Sequence, residues 1–325
     1  MIVVHWIDHK NKTHDITNMV ASVSWTGSIS QVARQAEITI LNAPNDNNIT
    51  NMKVILRNGD LIKLYENKKL IYYGQVLKTE KSNQTGTITY TTYYFLYHLM
   101  QSTYTHKWKK KTAEAIAKSV CKKVGIQRGS FAKTKYRIKK LIADDMSIYS
   151  IIMTAYTKAS KKTHQKYVAR MNGRKCNVYK VGTKVTGFNL SDSKNLISVS
   201  YEESAENVIN KVVIFNKKRK KKGTVKNKSS IKTFGTFQKT YTKGKKGSGK
   251  RAAKKLLQGI EKTVNVEVDE GNINCISGNG IKVYDTATGL NAIFWIESDT
   301  HTFANGRHTM SLELSFKKVW DRQDN

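Results

Sequence analysis

The stretch Asn291 to Phe316, NAIFWIESDTHTFANGRHTMSLELSF, decides how the chain is built. In its last third Met310, Leu312, Leu314 and Phe316 alternate with Ser311, Glu313 and Ser315, the period-two pattern of a strand with one buried face. Asn305-Gly306 ahead of it signals a hairpin, because both residue types accept positive φ. Two registers are open. A two-residue loop sets Met310 and Leu312 opposite His301 and Asp299. A three-residue loop of Ala304, Asn305 and Gly306 sets the apolar row opposite Thr300, Ser298, Ile296 and Phe294. The second is expected, since a one-residue slip turns a whole apolar set to the wrong face. Phe294 and Phe316 then meet at the hairpin's base, and His301 and His308 point to opposite faces of the ribbon. Glu297, Asp299 and Glu313 lie close in sequence, but ligands on opposite faces cannot converge on one ion at about 2 Å. A solvated strand face is expected, and no metal site.

Working outward, short strands fill the first third: Ile2–Trp6, Ala21–Trp25, Ala36–Leu41, Asp60–Tyr65, Leu70–Leu77 and Thr87–Phe95, separated by Asn- and Gly-rich turns. Asn42 to Asn51, which holds the single proline, Pro44, reads as a loop. Such spacing predicts an antiparallel barrel or sandwich. From about Lys107 the period becomes helical. Ala113, Ile116, Ala117, Val120, Cys121 and Val124 recur after a Thr112 cap and before Gly125. A second helix, with Ile148, Ile151, Ile152, Ala155 and Tyr156 on one face, follows Asp144 and Asp145, which read as its caps. Tyr167–Met171 and Lys175–Val181 form a hairpin through Asn172-Gly173. Strands return from Phe188: Ile197–Tyr201, Val208–Phe215, Val264–Val268, Gly280–Tyr284, Ile293–His301 and Thr309–Phe316. One helix interrupts them, capped at Ser248, with Ala252, Ala253, Leu256, Leu257 and Ile260 as its buried stripe.

The fold class read from this order is β-rich α+β: two antiparallel β-barrel domains flanking a small α+β domain. Residues 1–106 form the N-terminal barrel and 107–187 the α+β domain. Residues 188–325 form the C-terminal barrel, carrying a basic loop (216–250) and the one helix. The outer domains share a phrase. Ile62-Lys63-Leu64-Tyr65-Glu66 after Asn58-Gly59 matches Ile281-Lys282-Val283-Tyr284-Asp285 after Asn279-Gly280, and each precedes an aromatic strand. Two copies of one domain in each chain let three chains present six similar domains around an axis.

The 325 residues carry 57 Lys and Arg against 24 Asp and Glu, a net charge of +33, which draws nucleic acid, acidic membrane or acidic protein. The densest run is Lys217, Lys218, Arg219, Lys220, Lys221 and Lys222, the candidate partner-docking loop. A like-charge block repels itself, so it is either a solvated loop or, if ordered, a surface for a negative partner. Sixteen tyrosines could stack bases, which makes a nucleic-acid-binding protein the alternative reading. Most of them, however, alternate within apolar strands. Lys243 to Lys250 lacks P-loop spacing, and no pair of carboxylates marks a glycan-cleaving site. The three cysteines, Cys121, Cys176 and Cys275, are far apart and read as buried thiols of a reducing compartment. No secretory signal or membrane span is read, and synthesis in the cytoplasm is expected.

The run Val199 to Val212 (VSYEESAENVINKV), then Ser230 to Gly235, the Ala252 to Leu257 helix, Ile296 to Phe303 and His308 to Leu314, resembles the XkdQ/YqbQ family of prophage tail proteins. That family is similar in turn to phage tail hub and late-control D proteins. The likeness is densest over the last 130 residues. It implies a structural, non-enzymatic baseplate hub of a contractile phage tail, defective prophage or R-type bacteriocin (tailocin). Such a hub is a homotrimer joining a sixfold tail tube to a threefold spike. Its implied partners are the tail tube protein, spike, baseplate wedge and tape-measure proteins, with nucleic acid only transiently in the lumen. The implied location is the assembled particle, released on lysis. No catalytic, cofactor or metal residues are carried over.

Overall fold

A computed structural model describes residues 2–30, 33–42, 54–83, 86–244 and 248–323. The loop expected after Asn42 falls outside those residues. The chain divides into two compact units, one of residues 1–199 with 265–325 and one of residues 200–264.

The first unit opens with β1 (Ile2–Ile7), β2 (Thr13–Asp15), β3 (Val20–Ser28), β4 (Gln35–Leu41), β5 (Leu61–Glu66), β6 (Lys69–Ser82) and β7 (Thr87–Tyr94). Their alternation is that of strands with one face in the core: Ala36, Ile38 and Ile40 of β4 are buried while Glu37 and Thr39 are half-exposed. The middle of the chain gives α1 (Leu96–Gln101), β8 (Thr103–Thr112), α2 (Ala113–Lys123), β9 (Gln127–Phe131), β10 (Arg137–Ser147), α3 (Ile148–Thr163), β11 (Tyr167–Asn172) and β12 (Lys175–Lys180). Thr112 caps α2 as its hydroxyl accepts from the Ala115 amide, and Gly125 follows with φ +71°. Asp144 and Asp145 are not caps. They lie in β10 at a bulge where Asp145 has φ +45°, and Ser147 caps α3 instead, its hydroxyl 3.1 Å from the Ser150 amide. The lysine-rich strand β8, paired with β10, replaces part of what was expected to be helical, because only one of its faces meets apolar residues.

The chain continues through β13 (Leu190–Ser191) and β14 (Leu196–Ser204). It then makes the second unit: β15 (Lys211–Phe215), β16 (Lys221–Lys226), α4 (Lys228–Phe234), β17 (Gln238–Thr242) and α5 (Gly249–Lys255). It returns through β18 (Glu261–Val268), β19 (Gly280–Asp285), β20 (Leu290–Ala304) and β21 (Arg307–Ser315). In the second unit β15 lies between β16 and β17, and Val212, Ile214 and Ala253 form a small core. Ser248 caps α5 as predicted, but the helix ends at Lys255, so Leu257 and Ile260 of the expected stripe lie beyond it.

Both β-rich parts share one connectivity. The early strands pair in the order β1-β5-β6-β7-β4-β3 and the late ones in the order β13-β19-β20-β21-β18-β14, so each strand has its counterpart in chain order. The match extends to single hydrogen bonds. Gly59 N donates to Val76 O at 2.8 Å, as Gly278 N does to Ile296 O; Val76 N donates to Asp60 O at 2.9 Å, as Ile296 N does to Asn279 O. Asn58-Gly59 is therefore the equivalent of Ser277-Gly278, not of Asn279-Gly280. Each long strand bulges at the same place, between Val76 and Lys78 in β6 and between Ile296 and Ser298 in β20. The first strands differ, since β1 runs antiparallel to β5 and β13 parallel to β19. Instead of two closed barrels, the described residues show one open thirteen-stranded sheet, joined where β20 pairs with β3.

The hairpin takes the register that was not expected. Asn305 (φ +51°) and Gly306 (φ +74°) make a two-residue turn, so Met310 faces His301 and Leu312 faces Asp299. The bulge at Glu297 then shifts the pairing by one residue, Ile296 faces Leu314, and Phe294 and Phe316 meet edge to face at 5.0 Å. The base of the hairpin is as read from the pattern and its tip is one residue out of step.

Candidate functional site

The predicted docking run is the tip of a hairpin. Lys217, Lys218, Arg219 and Lys220 form the turn between β15 and β16, and Lys221 and Lys222 begin β16. Asn216 fixes it: its carbonyl accepts from Arg219 N at 2.9 Å and its side chain from Lys220 N at 2.9 Å, with Arg219 at φ +58°. All six basic side chains are exposed. Lys217, Lys218 and Lys222 line a groove with Lys243 and Lys250, and no carboxylate lines it. Lys243 and Lys250 come from beyond the run, brought there by β17, which pairs parallel to β15, and by α5. This unit holds nineteen Lys and Arg against Glu202, Glu203, Glu206 and Glu261. Two of those acids are already engaged, Glu203 with Lys262 at 2.5 Å and Glu261 with Asn207 at 2.9 Å. The groove presents five lysines and can hold a negative surface.

In the first unit, the changed register of β20 buries polar groups that the pattern placed in solvent. Asp299 is 2% exposed and accepts from both terminal nitrogens of Arg34 and from Ser277 N at 2.6 Å. The Arg34 guanidinium lies 4.3 Å over Trp25. His301, fully buried, meets the Cys275 carbonyl through Nε2 at 3.1 Å and His308 through Nδ1 at 2.9 Å, and His308 Nδ1 lies 3.0 Å from Glu66. The two His thus share one face, contrary to the expectation that they point apart. A carbonyl only accepts, so His301 donates from Nε2 and accepts at Nδ1 from His308 Nε2, which leaves His308 Nδ1 facing Glu66. Burial disfavours the charged form of each group, holding His301 at about 4 and His308 at about 3 and raising Glu66. Among the described residues no cluster of three or more His, Cys, Asp or Glu is arranged to hold a metal ion. No described helix is long and apolar enough to cross a membrane. The chain of hydrogen bonds ties β20 and β21 to the Cys275 carbonyl and to Glu66 at the end of β5.

A family model described as YQBQ-like matches residues 23–315. The chain is 22% identical over 307 residues to the phage-like element PBSX protein XkdQ of Bacillus subtilis (strain 168), covering 92% of this chain and 93% of XkdQ. Among solved structures it is similar to the 43 kDa tail protein of prophage MuSo2 from Shewanella oneidensis, with a TM-score of 0.71 and 13% identity over 97% of this chain and 98% of that one. It is also similar to a tail protein from Neisseria meningitidis MC58, with a TM-score of 0.67 and 12% identity over 99% and 98%.

Proposed function

The chain belongs to the YQBQ-like family, and from that premise we propose that it is the structural baseplate hub of a contractile phage tail or phage-tail-like particle, joining the distal end of the sixfold tube to the threefold central spike. The observation that carries this reading is the repeat: two six-stranded halves of one connectivity within the sheet of each chain, so that a trimer offers six similar modules to a sixfold tube. On this reading residues 1–106 and 188–325 are the two tube-like parts, 107–187 is the α+β part between them, and barrel closure is completed by assembly. The role is mechanical rather than catalytic. The protein is made in the bacterial cytoplasm, built into the particle and released on lysis, with tube, spike, wedge and tape-measure proteins as neighbours.

The basic turn, Lys217 to Lys222, docks on an acidic face of one of those neighbours. A luminal nucleic acid is the alternative occupant. Image reconstruction of the native particle tests the hub reading: density for three copies at the tube end is expected, and one or two copies per tube, or a position elsewhere, would overturn it.

A further inference from the structure

The strand pair that joins the two repeats has two unmated counterparts, the far half of β6 within the sheet and the edge strand β14. Within the chain, Ser298 to Ala304 of β20 pairs with Ser28 to Ser22 of β3, on the edge of β20 left open beyond the bulge. The equivalent of β20 is β6, whose segment Lys78–Lys81 after its own bulge pairs with β7 on one edge and, among the described residues, with no strand on the other. The equivalent of β3 is β14, which pairs with β18 alone among the described residues. The sequences agree with this assignment. Ser22-Val23-Ser24-Trp25 of β3 returns as Ser198-Val199-Ser200-Tyr201 of β14, and both strands have nine residues.

Burial marks the same difference. At the joint, Val23 and Asp299 are buried at 0% and 2%. Their equivalents Val199 and Thr79 are only half-buried, and Ile197 beside Val199 is 60% exposed. An exposed, proline-free edge strand is a template for a further strand, and here each chain carries both halves of one.

We infer that β6 of one copy pairs antiparallel with β14 of the next copy, repeating between chains the joint that β20 and β3 make within one. Transferring the internal register sets Lys78 opposite Ser204, Thr79 opposite Glu203 and Glu80 opposite Glu202. Lys78 then lies diagonal to Glu202, an opposite charge that offsets the like-charged pair of Glu80 and Glu202. The contact is head to tail, so it either closes into a ring or runs on without end. The inference deepens the hub reading and rests on it for closure at three chains.

The test is oxidative cross-linking of the full chain in assembled particles, with Thr79→Cys plus Glu203→Cys, or Lys78→Cys plus Ser204→Cys. Adjacent antiparallel pairs alternate between hydrogen-bonded and non-hydrogen-bonded, and the closer kind suits a disulfide, so one of the two doubles should link. The native thiols Cys121, Cys176 and Cys275 are buried. Covalent multimers ending at the trimer are expected from one double variant and none from any single variant. Absence of multimers from both doubles, in particles that contain the chain, overturns the pairing. The position of the chain in images of those particles then decides the hub reading separately. A second measurement needs no substitution: amide exchange in residues 76–82 and 196–204 is expected to slow together by about tenfold or more on assembly, and unchanged exchange in either segment overturns the pairing as well.

Discussion

Asp299 holds three donors while only 2% exposed, and its worth lies in that balance. Arg34→Met leaves a buried carboxylate without its counter-charge, and a loss of about 3–5 kcal/mol of unfolding free energy is expected in denaturant titration. Arg34→Met with Asp299→Leu removes both charges and should recover a large part of that loss; a double variant as unstable as the single one would show that the pair is not the cause. His301 and His308 set a pH limit. Both are held neutral in the fold, so as pH falls below the ordinary 6.5 the unfolded chain takes up protons that the folded chain refuses. Stability is then lost between pH 6.5 and about 4 for His301 and on to about 3 for His308, by about 3 kcal/mol for His301 alone. Melting temperatures followed from pH 7 to 4 should fall, and fall less in His308→Gln; a flat profile would refute the buried neutral pair.

Two elements carry the late sheet into register, the Asn305-Gly306 turn and the bulge at Glu297. Gly306→Val forces a β-branched residue into positive φ, and a destabilisation of about 1–2 kcal/mol is expected by chemical denaturation. Unchanged stability would mean that the turn is formed otherwise. The bulge explains how an apolar row on β21 stays on one face while β20 buries Phe294 and Ile296, then Asp299 and His301. The hairpin tip Lys217 to Lys222 is the opposite kind of element, with all six side chains exposed. Changing Lys218, Arg219, Lys220 and Lys221 to Ser should leave the melting temperature unchanged yet reduce incorporation into particles, with a salt dependence set by a screening length of about 8 Å at physiological salt. Assembly at wild-type yield across low and physiological salt rejects docking, and normal assembly with lost DNA delivery points to the lumen.

For the whole molecule, the repeat makes a geometric prediction. The β1-β5-β6-β7-β4-β3 and β13-β19-β20-β21-β18-β14 sheets should superpose, with Val76 falling on Ile296 and Gly59 on Gly278, and in the particle they should alternate around one channel. A reconstruction in which the two sheets face different environments would contradict the ring. The net charge of +33 is spread unevenly, densest in the unit inserted between β14 and β18, which corresponds to the β3 to β4 connection of the early repeat. A ring module can carry such an insertion without disturbing its sheet, because the insertion replaces a loop.

The sequence by itself determined most strands of both β-rich parts, the helices α2, α3 and α5 with the Thr112 and Ser248 caps, and the family, because apolar period and cap chemistry are local and survive in single residues. It also determined that Phe294 meets Phe316. What only the tertiary structure decided was the tip of that hairpin. No periodicity announces that Asp299 and His301 are buried, because the partners that make burial tolerable, Arg34, Ser277 and Cys275, are remote in the chain. The same holds for the joint between β20 and β3: an edge is a hydrogen-bonding surface of backbone, the same for any side chains, so which edges meet is settled by packing across the whole sheet.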